Sequence, residues 1–473
     1  MALARGDRLG TVWILDGLEV TIVGSMSDAL RPSDTGLGMS GWDIGFAGAS
    51  YVAGACVGAL FFGQLTDRFG RKRLFLITLG VYAVATVLTA FSMSPAWYFA
   101  ARFLTGTGIG GEYAAINSAI DELIPAKYRG RVDVAINGSF WVGAAAGSLL
   151  TIPLLDPSIV DARIGWRLAF GLGAVLAIGD PAGARNVPES PRWLFIHGRD
   201  EEAEEIVRDV ERTVTEETGE ELGEVGESIT IRQRRSIGFV TIAHTVFARY
   251  PRRTVLCFSL FVGQAFLYNA FFFTYGDTLS TFFGVGQTGW YLAIFAASNF
   301  AGALLLSPLF DRIGRVPMIT ATYVVSGVLL AVAGLILGDL DAKTLTLMGA
   351  VIFFLASAGA SAAYLTASEV FPMETRALCI AFFYAIGTAA GGISGPLLFG
   401  WLIDRAEAEK DVTVIAAGYF LGAVLMIGGG VAEAFLGVKA EGRSLESIAQ
   451  PLTADDEAQD ADGQADTDAE SPP

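Results

Sequence analysis

One short charged pattern occurs twice in this chain, half a chain apart, and long apolar stretches flank each copy. The first copy runs Gly63-Gln64-Leu65-Thr66-Asp67-Arg68-Phe69-Gly70-Arg71-Lys72-Arg73 and the second Ser307-Pro308-Leu309-Phe310-Asp311-Arg312-Ile313-Gly314-Arg315. Asp67 and Asp311 stand 244 residues apart. A second pair, Glu122-x-x-Pro125-x-x-x-Arg129 and Glu369-x-x-Pro372-x-x-x-Arg376, repeats at 247. Two independent motifs at nearly one offset mark an internal duplication. Duplicated sets of apolar segments are the architecture of membrane transporters.

Composition agrees. At 473 residues, 52% hydrophobic and with 57 Gly, the chain is too apolar for a soluble protein of its size. The apolar material falls into twelve pieces of roughly 20 residues, each enough to cross a hydrocarbon core of about 30 Å as a helix. They lie at about 11–30, 43–64, 74–93, 96–119, 132–155, 167–185, 254–275, 289–310, 318–338, 343–367, 377–402 and 412–437. The first begins near Met1 and carries acids, so it reads as a membrane helix and not as a cleavable signal peptide.

Lys and Arg in short loops set the orientation. Arg68, Arg71, Lys72 and Arg73 follow helix 2, Lys127, Arg129 and Arg131 follow helix 4, and Arg312 and Arg315 follow helix 8. The opposite loops are short or acidic, with Asp34, Asp156, Asp161, Asp277, Asp339 and Asp341. Both termini and the long middle loop are therefore expected in the cytoplasm, in a multi-pass protein of the plasma membrane. The domain reading is an N-terminal six-helix bundle over 1–186, a cytoplasmic middle loop over 187–250, a C-terminal six-helix bundle over 251–440 and an acidic tail over 441–473.

The formal net charge of −17 lies outside the apolar segments. Between Asp200 and Glu227 there are thirteen acids against two arginines, and from Asp455 to Glu470 eight acids and no base. That tail composition predicts disorder. Five lysines stand against 27 arginines, a balance that fits either a salt-adapted organism or a GC-rich genome. The negative balance argues against nucleic-acid binding. Cys56, Cys257 and Cys379 fall singly in predicted helices, which gives neither a disulfide framework nor a thiolate metal site. His197 and His244 both fall in the middle loop, so a proton path across the bilayer must use carboxylates. No cofactor or metal is expected.

Together these motifs resemble the major facilitator superfamily. The Asp-Arg-x-Gly-Arg loops are similar to its signature. Pro188-Glu189-Ser190-Pro191-Arg192-Trp193-Leu194 after helix 6 resembles the loop of its sugar-porter and metabolite–proton symporter branches. Arg102 with Gly106, Gly108, Gly110 and Gly111, and Glu441-Gly442-Arg443-Ser444-Leu445-Glu446, fit the same pattern over about residues 10 to 450. The resemblance implies an all-α membrane protein: twelve helices in two pseudo-symmetric six-helix bundles, a solute cavity between them, alternating access and a monomer.

Within the superfamily the motifs are mixed. Gln264 and Asn269 match the sugar-porter pair of helix 7, but Asn137 replaces a helix-5 Gln and Ala363-Tyr364 replaces a Pro-x-Trp. Asp16-Gly17-Leu18-Glu19 resembles the Asp-Gly-x-Asp pattern of aromatic-acid–proton symporters, and Gly110-Gly111-Glu112 that of organic-acid and osmolyte symporters. Helix 5 has Gly143 and Gly147 with no following Pro, unlike drug–proton antiporters, which disfavours export.

Physical chemistry assigns the candidate roles. Asp16 and Glu19, three apart, share one face of helix 1. A charge at mid-bilayer costs about 2.5–3.5 kcal/mol on insertion scales, so both acids must face a cavity or a partner. Asp16 is the first candidate for the proton carrier and Glu19 the second. Arg102 either holds Asp16 or binds a substrate carboxylate through two hydrogen bonds. Substrate contacts are expected from Arg102, Asn137, Gln264, Tyr268, Asn269, Asn299 and Tyr364. Phe271, Phe272 and Phe273 read as packing or lipid-facing; Glu112 reads equally as structural or binding, and Asp180 has no assigned role. Asp67, Arg68, Arg71, Glu122, Arg129 and their mirror set Asp311, Arg312, Arg315, Glu369 and Arg376 form a cytoplasmic gate, with Gly70 and Gly314 making the tight turns. Gly387, Gly391 and Gly395 permit close helix contact, and Pro396 marks a kink.

The leading function is import of a small polar metabolite with protons, an organic or aromatic acid ahead of a sugar or polyol. A transporter-like nutrient sensor is the other class. No nucleotide-binding loop is recognisable, and enzymatic catalysis has no support.

Overall fold

A computed structural model describes residues 2–123, 126–179, 189–196, 198–218, 247–371 and 376–438. Among the described residues, twelve long helices carry the fold. The first six are α1 (Ala2–Ser25), α2 (Gly41–Phe69), α3 (Arg71–Ala90), α4 (Pro95–Leu123), α5 (Ala126–Leu154) and α6 (Ala162–Gly179). The second set is α7 (Pro251–Phe283), α8 (Gly289–Ile313), α9 (Arg315–Leu335), α10 (Ala342–Val370), α11 and α12 (Ala416–Leu436). The α11 helix runs from Arg376–Gly387 through a π turn, Thr388–Ile393, into Ser394–Glu409. No strand occurs among the described residues.

Eight of these helices, α2, α3 and α7 to α12, contain stretches long and apolar enough to cross a membrane, among the described residues. Their outer faces expose large apolar side chains such as Val84, Leu305, Val424 and Phe435, as a lipid-facing surface requires. A separate helix, Asp200–Thr218, is mostly polar and opens on three acids.

Local chemistry explains the boundaries. Gly70 (φ 85°) and Gly314 (φ 104°) occupy backbone regions that only glycine enters easily, and each separates two helices with a single residue. These are the turns predicted from the repeated loop. The Asp341 side chain accepts the Thr344 N–H at 3.0 Å and caps α10. Pro396, with no N–H to donate, lies three residues past the π turn of α11, in the first turn of the helix that follows it. Asp277 reads as a loop acid in the sequence, but it is buried inside α7.

Two buried clusters form. One gathers Trp13, Tyr82, Tyr98, Trp166 and Phe170 from α1 to α6; the other gathers Phe266, Phe295, Tyr323, Phe353 and Phe371 from α7 to α12. The clusters interlock: Phe273 of α7 lies in the first, while Trp141 of α5 packs against the second. Phe271, Phe272 and Phe273 are all buried, so they face the protein interior and not lipid.

Glycines let α2 and α4 meet backbone to backbone. A Cβ on Gly106 would lie 1.9 Å from the Tyr51 carbonyl oxygen, whereas one on Gly80 would meet nothing within 4 Å. Gly106→Ala should therefore cost about 1–3 kcal/mol by overpacking and lower the melting temperature of the purified protein. Gly80→Ala should leave it unchanged or slightly raised. Equal melting of the two variants would contradict the close α2–α4 approach.

The halves also touch at the end away from the repeated loops. There a Cβ on Gly24 of α1 would lie 1.9 Å from the Phe272 oxygen of α7, and one on Gly45 of α2 would lie 2.2 Å from the Pro396 oxygen of α11. At that end the two halves meet backbone to backbone.

Candidate functional site

The two acids of α1 point into the first half, each toward its own partner. Glu19 Oε1 accepts from Arg102 Nη1 of α4 at 2.6 Å, and its Oε2 accepts the Thr86 hydroxyl of α3 at 3.0 Å. Asp16 Oδ1 accepts the Tyr51 hydroxyl of α2 at 2.9 Å. The Tyr51 ring also carries the Arg102 guanidinium, 4.6 Å from its centroid, and the Phe170 ring of α6 lies 5.9 Å away on another side. Side-chain exposure of the Glu19–Arg102 pair is 1% and 0%. Arg102 Nε and Nη2 are buried without a hydrogen-bond partner among the described residues.

This arrangement changes the ranking read from the sequence. Arg102 closes on Glu19, where the sequence left Asp16 as its expected partner. Glu19 is also as buried as Asp16. The cause is helical geometry. Residues three apart diverge by about 60° around an axis, enough to send Asp16 toward α2 and Glu19 toward α3 and α4. Glu112 is buried, with Oε1 unpartnered among the described residues. An ion pair removed from water is costly unless fully satisfied, so this one marks function more than stability.

The C-terminal half supplies a second cluster. The Tyr268 hydroxyl donates to Asn299 Oδ1 at 2.7 Å, and Asn299 Nδ2 donates to the Phe295 carbonyl at 2.8 Å. Asn269 Nδ2 is spent on the Ala265 carbonyl at 2.9 Å. Gln264 Oε1 is buried and unpartnered among the described residues. Tyr364 packs against Phe261 and Tyr384, with ring centroids 5.0 and 6.2 Å away. Trp141 faces Tyr268 and Phe272 across the interface between halves, at 5.8 and 5.7 Å. The Asn137 side chain lies outside those described.

Of the repeated-loop residues, the side chains of Asp67, Arg68, Arg71, Glu122, Arg129, Asp311, Glu369 and Arg376 lie outside those described. Arg312 is exposed and Arg315 half-buried. Glu189 joins this end from the Pro-Glu-Ser-Pro-Arg segment. Its Oε1 accepts the Lys72 N–H at 3.4 Å, and its Oε2 lies 2.5 Å from where a Gly70 Cβ would be. A carboxylate at the N-terminus of α3 suits the helix dipole. Asp180, His197, His244 and the acidic tail lie outside the described residues; of Cys379 the side chain is not described.

At the opposite end, Arg31 ties the halves together. Its Nε and Nη2 reach Asp277 Oδ1 and Oδ2 at 2.5 and 3.1 Å, and its Nη1 reaches Glu407 of α11 at 2.9 Å. Asp404 of α11 accepts the N–H groups of Gly41 and Trp42, at 2.6 and 2.9 Å, in the first turn of α2. Sequence reasoning missed these contacts, as it missed Tyr51, Thr86 and Trp141. The available signal was Arg31 itself, a base among acidic loops.

Residues 25–450 match the family model described as sugar (and other) transporter. The chain belongs to that family. Among curated sugar (and other) transporter relatives, the niacin transporter NiaP of Acinetobacter baylyi is 28% identical over 93% of this chain and 94% of its own length. The putative niacin/nicotinamide transporter NiaP of Bacillus subtilis is 26% identical over 84% and 87%. The plastidic glucose transporter 4 of Arabidopsis thaliana is 27% identical over 88% and 73%. Among solved structures, the xylose transporter XylE from E. coli in an inward-open conformation aligns with a TM-score of 0.71 at 18% identity, over 95% of this chain and 99% of that one. The fold is therefore the major facilitator fold, and the family comprises transporters and not enzymes.

Proposed function

We infer that this protein is a proton-coupled importer of a small organic or aromatic acid, working by alternating access in the plasma membrane, with both termini cytoplasmic, as a monomer. The buried Glu19–Arg102 pair beside Asp16 and Tyr51 carries this reading. Acids inside a membrane bundle mark proton paths. Protonation of Glu19 removes the charge that holds Arg102, and the guanidinium then answers to Asp16 or to a substrate carboxylate. Asp16 is the second acid of the relay, and Gln264, Tyr268, Asn269, Asn299, Tyr364 and Asn137 line the solute path.

The Arg31 tie and the Asp404 contacts hold the extracellular end closed in this conformation, and the repeated loops form the cytoplasmic gate. Breaking one set while making the other exposes the cavity to each side in turn. The names of the two NiaP relatives favour a pyridine carboxylate as cargo. A sugar is the second reading, favoured by the Gln264/Asn269 pair and by the glucose transporter relative.

Uptake into proteoliposomes under an inward pH gradient tests both. Radiolabelled nicotinate should accumulate above equilibrium, by about tenfold per pH unit for one proton per solute. Accumulation of glucose or xylose with no response to nicotinate would overturn the acid reading.

A further inference from the structure

We propose that Trp141, Tyr268 and Phe272 form a two-sided clamp that selects a planar ring, so that the cargo is an aromatic acid and not a polyol. This rests on the proton–acid reading above and narrows its substrate class. Tyr268 and Phe272 lie four residues apart on α7 with rings parallel to within 2° and centroids 6.2 Å apart. Their parallel faces form a platform. Phe353 backs both rings, at 5.2 and 5.5 Å, and the Tyr268–Asn299 hydrogen bond fixes the tyrosine. The platform is thus preorganised, which reduces the ordering cost of binding.

Trp141 stands over it from the other half, inclined by 40° to Tyr268 and 41° to Phe272. Aromatic pairs favour offset-parallel or edge-to-face geometry, and this inclination is neither. The indole and the platform form a wedge whose two walls belong to the two moving halves, so the wedge widens and narrows as they rock. A flat ring entering it finds a face on each side. Trp141 and Tyr268 are both only partly buried, as an entry site needs.

Polar capacity points the same way. A polyol needs a hydrogen-bond partner for each buried hydroxyl, and unpaired ones are penalised heavily. Here the Tyr268 proton, the Asn299 amide and the Asn269 amide are already committed within the protein. Gln264 and Arg102 retain unpartnered buried atoms. Arg102 offers two N–H donors that suit one carboxylate, and the Gln264 oxygen can accept from a single donor, a supply too small for four or five hydroxyls.

The test compares two acids of similar size, nicotinate and cyclohexanecarboxylate, one flat and one puckered. Their relative kcat/KM is measured by competition in proteoliposomes for the wild type, Trp141→Leu, Trp141→Phe and Tyr268→Leu. Each lost ring should reduce the preference for the flat acid about three- to tenfold, and Trp141→Phe should retain most of it. A general loss of stability or turnover changes both acids alike and leaves the ratio where it was. An unchanged ratio in Trp141→Leu and Tyr268→Leu, with wild-type nicotinate uptake intact, overturns the clamp alone. Wild-type protein that takes up neither acid overturns the underlying reading and the clamp with it.

Discussion

Glu19→Gln should abolish accumulation of substrate against a gradient while leaving counterflow exchange in place. Glutamine keeps one oxygen for the Arg102 Nη1 contact, and its amide can donate to the Thr86 hydroxyl where the carboxylate accepted from it, but it cannot shuttle a proton. A tenfold gradient driven by one pH unit, about 1.4 kcal/mol, should fall to equality. Arg102→Gln should fare worse. It leaves Glu19 buried, 1% exposed, with no opposite charge, and breaking a buried pair from one side costs about 3–5 kcal/mol. The double variant Glu19→Gln/Arg102→Gln should recover stability but not accumulation. Uphill uptake by Glu19→Gln at the wild-type level would remove Glu19 from the proton path, and the same assay on Asp16→Asn would then decide whether Asp16 replaces it.

The second large effect is expected at Arg31. Arg31→Gln removes the guanidinium that binds Asp277 through two nitrogens and Glu407 through a third. Asp277 has no side-chain exposure while Arg31 keeps 20%, so the loss is that of a partly solvated pair and is discounted accordingly. The opening equilibrium at this end should still rise at least tenfold, about 1.4 kcal/mol. Ser27, fully buried beside this contact, is the reporter. In a Ser27→Cys background, a membrane-impermeant maleimide added outside should label the Arg31→Gln protein about tenfold faster. The charge swap Arg31→Asp/Asp277→Arg should restore part of the protection. Unaltered labelling would show that backbone contacts such as Gly24 with Phe272, and not the ion pairs, hold this end shut.

Much of this was legible in the chain. The duplicated loops gave the two-fold repeat of helices, because a tight turn between membrane helices needs glycine and a charged loop cannot enter the bilayer. The acids of α1 and Arg102 were legible because charges in apolar segments are too costly to be incidental. Which acid meets Arg102 was not. That depends on how far α1 rotates about its axis, set by Gly17 and Gly143 packing against α5 and α1 backbones. Tyr51 and Thr86 were invisible for a related reason: one tyrosine or threonine in a membrane helix carries no mark of which neighbour it faces. Phe272 and Trp141 look in the sequence like any lipid-facing aromatic. Only the packing of the two halves against each other places them together.

The most direct test of the central claim is the external pH of a lightly buffered proteoliposome suspension after nicotinate is added. Proton symport predicts an alkalinisation that an uncoupler abolishes, that Glu19→Gln eliminates and that Gly80→Ala leaves intact. Nicotinate entry at the wild-type rate with no change in external pH would contradict it, leaving a uniporter in which the buried Glu19–Arg102 pair serves structure alone.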